Sequence, residues 1–417
     1  MNTALPVVAR DPIVVKGMET THTRIGLCPK KEWCSVHRSI PAVRTIQALD
    51  VDVTESCNLA CFYCYKKDKE DAHIDEATAK NALDWLLAAS GDNRDLMVNF
   101  MGGEPFLAFE VIKKMVLYGK CRAAQMGKAM RFGVTTNMTK LTDESLEFCR
   151  RFKMDFLCSV DGIPEVQNEN RPLRGGGPSS PAVEKNAPKI LAYQPTALAR
   201  ATLTPRSARV LVENAKYFVR LGFRAMIFCP AVNCEWKPED LEVVRSQYEQ
   251  MGEFYIEKLL SKEPIRIREF EQGIQSLHAK TESSNSCGAG KGLVHVDING
   301  NFWPCHQYAP RMCGGQFLMG KLGGPFNDRL RDAFLKIDPP NDYQAGCGDC
   351  RAQLTCGGAW CNAECVSLSC NFYKPPEAFC HLRRILHDQV LHTHGYLKAH
   401  HPKILESVLN QTQQHID

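Results

Sequence analysis

The chain has 417 residues, a formal net charge of +4, 24% charged residues and 20 cysteines. That length exceeds one ordinary core, so more than one domain is expected, and so small a charge without a basic block interleaved with aromatics leaves no footprint for nucleic acid. No apolar run reaches a membrane span and no basic-then-apolar stretch opens the chain, so a cytoplasmic protein with no membrane partner is expected. There, clustered cysteines bind metal or clusters rather than forming a secreted disulfide scaffold.

The first forty or so residues carry Cys28 and Cys34, in CPKKEWC, to which no role can be assigned; the stretch is short for a leader-binding module. From Pro41 to about Leu260 short apolar strands alternate with amphipathic helices. The pattern predicts strands at 46–53, 95–101, 131–136, 153–160, 198–204 and 224–231. Helices are predicted at 76–90, 108–126, 142–151, 181–192, 207–221 and 238–261. Six strand-then-helix units imply a parallel sheet, with the loops after the strands gathered at its carboxyl end. The segment Arg171 to Pro181, RPLRGGGPSSP, is too rich in glycine and proline for a regular element and is expected to lie over that end. Cys121, Cys149, Cys158, Cys229 and Cys234 are isolated and expected to be buried small hydrophobes.

The loop after the first strand holds Cys57, Cys61 and Cys64 at CxxxCxxC spacing. Three thiols are one too few for a tetrahedral zinc site or a cubane, so a four-iron cluster held by them keeps one iron open to a ligand that is not protein. After the second strand comes Met101-Gly102-Gly103-Glu104-Pro105: two glycines let backbone approach a ligand closely, and Glu104 can accept from an ammonium group.

Together these motifs resemble the radical SAM enzymes. The resemblance implies an α/β fold, a partial (β/α)6 TIM-like barrel, over residues 45–263, with an extension at 1–44 ahead of it. It further implies that S-adenosylmethionine (SAM) binds the open iron and is split to a 5′-deoxyadenosyl radical. It sets Gly102, Gly103 and Glu104 at the methionine amino group and Tyr63 near the adenine. Asn137, after the third strand, and Ser159, ending the fourth, fall where polar groups meet the ribose hydroxyls. Arg200 in the fifth falls where an arginine meets the SAM carboxylate. Leu203, at the end of that strand, joins the cofactor-binding set. For Asn137, and for Asp161 beyond Ser159, a turn residue bonding its own backbone is an equal reading.

After about residue 263 helical periodicity fades and cysteines crowd. Leu293 to Ile298 and Asn301 to Trp303 flank an Asn299-Gly300 turn, predicting a hairpin that brings Cys287 and Cys305 toward one another. Cys347, Cys350, Cys356, Cys361, Cys365, Cys370 and Cys380 follow. This pattern resembles the SPASM domain, a cysteine-rich iron–sulfur module, here over 264–382. The resemblance implies an outer auxiliary cluster on Cys347, Cys350, Cys356 and Cys380 and an inner one on Cys287, Cys305 and Cys361. Trp360 stands where the family places a cysteine, so Cys365 rivals Cys361. For the inner cluster's fourth position Cys313, Cys365 and an open iron are alternatives, and a two-zinc module is the alternative to clusters altogether. The tail, 383–417, is expected to be a polar surface helix; residues 381–417 hold seven of the chain's 13 histidines.

The resemblance implies three 4Fe–4S clusters with SAM, an electron donor such as flavodoxin or ferredoxin, and a peptide or protein substrate that is oxidised or cross-linked. Anaerobic sulfatase-maturating enzymes carry an aspartate after the cysteine equivalent to Cys305; here His306 stands there, which favours maturation of ribosomally made peptides and makes His306 the candidate base. Dehydrogenation of a small molecule is the enzymatic alternative, and an electron carrier or zinc scaffold the non-enzymatic one. The metal content tests the set: anaerobically prepared protein should hold about twelve irons and no stoichiometric zinc, whereas about four irons with two zincs would make the C-terminal half a zinc module.

Overall fold

The computed structural model describes residues 45–66, 69–279, 288–308, 315–336, 346–356 and 373–410. Cys28, Cys34, Cys287, Cys313, Cys361, Cys365 and Cys370 lie outside the described residues, and the expectations placed on them are carried no further.

The barrel strands are β1 (Ala48–Thr54), β2 (Asp95–Gly102), β3 (Ala129–Thr136), β4 (Asp155–Ser159), β5 (Leu198–Leu203) and β6 (Ala225–Pro230), paired in parallel in that order. Between and after them run α1 (Glu76–Ala89), α2 (Phe109–Gln125), α3 (Asp143–Arg151), α4 (Pro164–Asn170), α5 (Ser180–Tyr193), α6 (Leu211–Leu221) and α7 (Pro238–Leu259). The starts and stops are chemical: the Asp75 side chain accepts from Thr78 N at the start of α1, Thr142 and Ser145 form a capping box on α3, and α6 ends at Gly222 with φ +102°. The expected α/β barrel pattern is therefore present, its strand and helix ends shifted by one or two residues, and a 3₁₀ turn at Ser207–Val210 replaces the start of the sixth helix. The short α4, within the loop after β4, was not expected.

In β1 Leu49, Val51 and Val53 pack in the core, while alternation puts Asp50, Asp52 and Thr54 on the opposite face. All three polar side chains are buried, which sets a polar surface inside the barrel.

The sheet does not end near residue 263. β7 (Arg266–Ile267) extends it beyond β6 and leads into α8 (Arg268–Ala279). The expected hairpin is present as β8 (Leu293–Val296) and β9 (Asn301–Trp303), joined through Gly300 at φ +79°, with Asp297 accepting from Asn299 N, Asn301 N and Trp303 Nε1. β8 pairs in parallel with β1, Asp50 opposite His295, and β10 (Gly320–Lys321) adds to β9. An open barrel leaves β1 as an edge with unpaired backbone groups, and the hairpin covers it.

The C-terminal expectation needs correction. After α9 (Asp328–Leu335) and the short α10 (Gln353–Cys356), the long α11 (Glu377–His400) begins ahead of the boundary set at 382 and is no solvated tail. It packs along α7 and α8 and buries Phe379, Leu382, Ile385, Leu386, Val390 and Leu397, a helical stripe partly hidden among histidines. The closing α12 (Pro402–Asn410) buries Leu405 and Val408. Among the described residues no helix is long and apolar enough to cross a membrane.

The glycines after β2 act first on the chain itself. Gly103 N donates to Thr54 O at 2.9 Å and Glu104 N to Ser56 O at 2.8 Å, joining the turn after β2 to the loop after β1. A Cβ on Gly102 would lie 2.0 Å from Thr54 O and one on Gly103 2.0 Å from Ser56 O, both backbone atoms with little freedom to move. Gly103→Ala should therefore destabilise the protein by about 2–4 kcal/mol in denaturant unfolding, and a loss within about 0.5 kcal/mol would show that the contact is dispensable.

Candidate active site

Cys57, Cys61 and Cys64 line one cavity of about 310 Å³ at the carboxyl ends of the barrel strands. Their loop is held from above by the segment after α4, as its composition suggested: Ala60 N donates to Pro172 O, Arg174 N to Asn58 O, and Leu59 bridges to Leu173. Lys69 Nζ donates to Leu59 O at 2.7 Å. Burial pushes the Cys57 thiol up and that of Cys61 up to about 11, so bare thiolates are disfavoured until a cationic centre binds them. Among the described residues no three His, Cys, Asp or Glu side chains close on the position of one metal ion. What these thiols share is a cavity able to take a body larger than an ion, and the set fits a cubane with one iron left open.

Glu104 is fully buried, and accepts from Thr136 Oγ1 (2.8 Å), Asn137 N (2.8 Å) and Phe106 N (3.2 Å). Burial outweighs these bonds and lifts its carboxyl to about 7. A cation or polarised amine brought beside it would favour the ionised form.

The other expected cofactor residues divide. Gly102, Gly103, Tyr63, Asn137, Ser159 and Arg200 all line the cavity. Tyr63 donates its hydroxyl to Asp161 Oδ2 at 2.5 Å, and the Arg171 guanidinium stands 5.4 Å from the Tyr63 ring centroid and 2.9 Å from Asp161 Oδ1. Asp161 also accepts from Thr202 N and Asn170 Nδ2, so its carboxylate is taken up by partners from other elements rather than by the backbone of its own turn. The Asn137 side-chain oxygen accepts from Thr139 N, as the turn reading expects, and its amide group reaches toward Cys57 Sγ at 3.9 Å on the cavity wall. Glu104 and Leu203 are not among the residues lining the cavity: Glu104 is fully buried just behind the glycine turn, and the Leu203 side chain is core while its carbonyl accepts from Ala231 N.

His306 lines the same cavity from the turn after β9. Its Nδ1 stands 3.5 Å from Asp50 Oδ2 on β1, and Asp50 is held in turn by Asn99 Nδ2 at 3.0 Å. Burial lowers the imidazole pKa despite Asp50, leaving a neutral ring at neutral pH. The Tyr65 ring lies 5.5 Å from that of His306 and within electrostatic reach of both Cys64 and Cys305. Below, Asp52 Oδ2 takes Lys66 Nζ at 2.5 Å and His295 Nε2 at 3.2 Å; burial opposes ionisation, but these two partners hold the carboxyl well below its usual range.

Of the expected auxiliary ligands, Cys305 is buried in the turn beside His306. Cys347, Cys350, Cys356 and Cys380, far apart in sequence, come within electrostatic reach of one another, and burial pushes Cys347 up and Cys380 up to about 11. Cys229 departs from the buried-hydrophobe reading because it lines the cavity; Cys121 and Cys234 are half-buried, while Cys149 and Cys158 are buried as expected. Sequence reading also missed Tyr65, Lys69, Arg171, Thr202 and Arg383 on the wall. Only Arg171 lay in a segment already singled out.

The family model of the radical SAM superfamily matches residues 51–198. An uncharacterized protein of Methanocaldococcus jannaschii is 31% identical over 180 residues, 43% of this chain and 61% of that relative, so the match spans less than two thirds of its length. A serine-type anaerobic sulfatase-maturating enzyme of Klebsiella aerogenes is 29% identical over 320 residues, covering 73% of this chain and 76% of the enzyme. Among solved structures, anSMEcpe with bound AdoMet and the Kp18Cys peptide superposes with TM-score 0.71 at 19% identity, over 87% of this chain and 99% of that one. Streptococcus suis SuiB bound to precursor peptide SuiA gives TM-score 0.57 at 13% identity, over 81% and 76%. These structural likenesses establish the fold.

The Glu104 environment sets a pH dependence. Its folded pKa, about 7, lies above the ordinary 4.5, so its contribution to stability is present below about 4.5 and is lost as pH rises through about 7. A ligand amine that needs the ionised carboxylate binds with the opposite trend. SAM affinity should rise as pH rises through about 7, and Glu104→Gln should weaken binding and flatten the profile; an unchanged profile in Glu104→Gln would remove Glu104 from the cofactor site.

Proposed function

We propose that this chain, whose residues 51–198 form a radical SAM domain, is a maturase that oxidises or cross-links a side chain of a ribosomally made peptide or protein. The observation that carries the reading is one cavity whose wall includes the CxxxCxxC thiols, the glycine turn and His306. Cys57, Cys61 and Cys64 would hold a 4Fe–4S cluster, with Tyr63, Gly102, Gly103, Glu104, Asn137, Ser159 and Arg200 around SAM. Cys305 and the group Cys347, Cys350, Cys356 and Cys380 would serve auxiliary clusters, and a flavodoxin or ferredoxin would supply electrons. Held by these residues, SAM and the clusters would supply radical chemistry for hydrogen-atom removal from the substrate and an acceptor for the surplus electron.

The chain's own groups do the rest. The Tyr63–Asp161–Arg171 cluster and the backbone of Pro172, Leu173 and Arg174 fix the cysteine loop in place. With Nδ1 of neutral His306 turned toward Asp50, Nε2 is the nitrogen left to take the proton that the oxidised substrate releases. Peptide chemistry draws support from the fold shared with anSMEcpe and SuiB, both solved with peptides.

Sulfatase maturation is the second reading, favoured by the likeness to the Klebsiella aerogenes enzyme over 320 residues. His306, in place of the aspartate of those enzymes, argues against it. The reconstituted protein should cleave SAM yet leave a sulfatase-derived Ser or Cys peptide without formylglycine. With its own peptide, His306→Ala should lose on the order of a hundredfold in product formation with clusters intact. An unchanged rate would return His306 to a packing role, and stoichiometric formylglycine would establish the second reading.

A further inference from the structure

One arginine on the cavity wall comes from outside the barrel. Arg383, on α11, is only 8% exposed and lines the cavity together with Cys229, Pro230, Ala231 and Val232, where β6 ends. Its register is fixed by burial on both sides, Phe379 and Leu382 before it, Ile385 and Leu386 after it, with α11 held along α7 and α8. A helix this firmly docked delivers its guanidinium to one place.

The cavity wall has a strong charge bias. Lys69, Arg171, Arg200 and Arg383 are its cationic side chains, and no Asp or Glu is among its described lining residues. Arg171 is committed to Asp161 at 2.9 Å, and Arg200 is assigned to the SAM carboxylate in the reading above. Arg383 interacts electrostatically with Glu269, which sits behind the wall and accepts from Phe228 N at 3.3 Å. Burial pushes the Glu269 carboxyl up to about 8, against the pull of Arg383.

A largely buried guanidinium on a cavity wall suits a carboxylate, with which it can form two parallel charge-assisted hydrogen bonds. We propose that Arg383 is a specificity-determining residue that receives a carboxylate of the peptide substrate, from an Asp or Glu side chain or from the C-terminus. The inference rests on the peptide reading and adds the chemistry by which a peptide is chosen.

The test uses the full-length, anaerobically reconstituted protein with SAM and four pools of N-acetylated octapeptides centred on Ser or Cys. The pools contain either Asp and Glu or Asn and Gln, and each ends in a free carboxylate or an amide. Binding to wild type should be about tenfold or more tighter for a pool bearing a carboxylate than for the wholly neutral pool, and the arm that gains shows which carboxylate is read. In Arg383→Gln the difference should shrink to within about twofold, and Arg383→Lys should keep part of it. The wild-type comparison needs no variant to fold. Equal binding of neutral and acidic pools overturns the inference alone, as does discrimination retained in Arg383→Gln. A tenfold loss of SAM affinity in that variant with peptide discrimination intact reassigns Arg383 to the cofactor and likewise overturns it. If no pool binds while SAM is still cleaved, the peptide reading falls and takes this inference with it.

Discussion

Two backbone hydrogen bonds, Gly103 N to Thr54 O and Glu104 N to Ser56 O, determine where everything else in the site can be. They are possible because positions 102 and 103 lack a Cβ, and they bind the turn after β2 to the start of the cysteine loop. Once they form, the Glu104 carboxyl and the Cys57 thiol can only be neighbours. Glu104 then takes Thr136 Oγ1 and Asn137 N, which adds the end of β3, and Asn137 reaches back toward Cys57. Three strand ends are thereby locked around one point before any cofactor is present.

A second polar seam joins this barrel to the cysteine-rich half. β1 turns Asp50 and Asp52 inward, and β8 and the turn after β9 bring His295 and His306 to meet them. Burying such groups is costly unless they are paired, so the pairing selects the register in which β8 lies along β1. Lys66, two residues beyond Cys64, enters the same seam through Asp52. The cysteine loop and the hairpin bearing Cys305 therefore share a carboxylate, and Tyr65 is within electrostatic reach of both Cys64 and Cys305.

The parts legible in the sequence were those set by local rules. Strand β2 and helix α2 announce themselves by apolar period, the Asn299-Gly300 turn by its residues, and the CxxxCxxC loop by its spacing. The purpose of Gly102 and Gly103 was half legible: close approach was expected, but the approaching partner is Ser56 and its neighbours rather than a ligand alone. Asp161 and Tyr63 are 98 residues apart, and nothing local to either marks the pair. Strand alternation turns Thr202 to the cavity and Leu203 to the core, a difference that the run of residues in β5 does not show by itself. The C-terminal helix was misjudged because histidines dominate its composition, although Phe379, Leu382, Leu386, Val390 and Leu397 recur at helical spacing. Arg383 was invisible for the same reason: its position has meaning only once that helix is docked.

The claim on which the account turns is that the three thiols after β1 support reductive cleavage of SAM. It is tested most directly by measuring 5′-deoxyadenosine by mass spectrometry after reduced, anaerobically reconstituted protein meets SAM, in wild type and in a variant with Cys57, Cys61 and Cys64 all changed to Ala. The account predicts formation by wild type and only background from the triple variant, with the iron of the C-terminal thiols retained. Undiminished 5′-deoxyadenosine from a triple variant would contradict it.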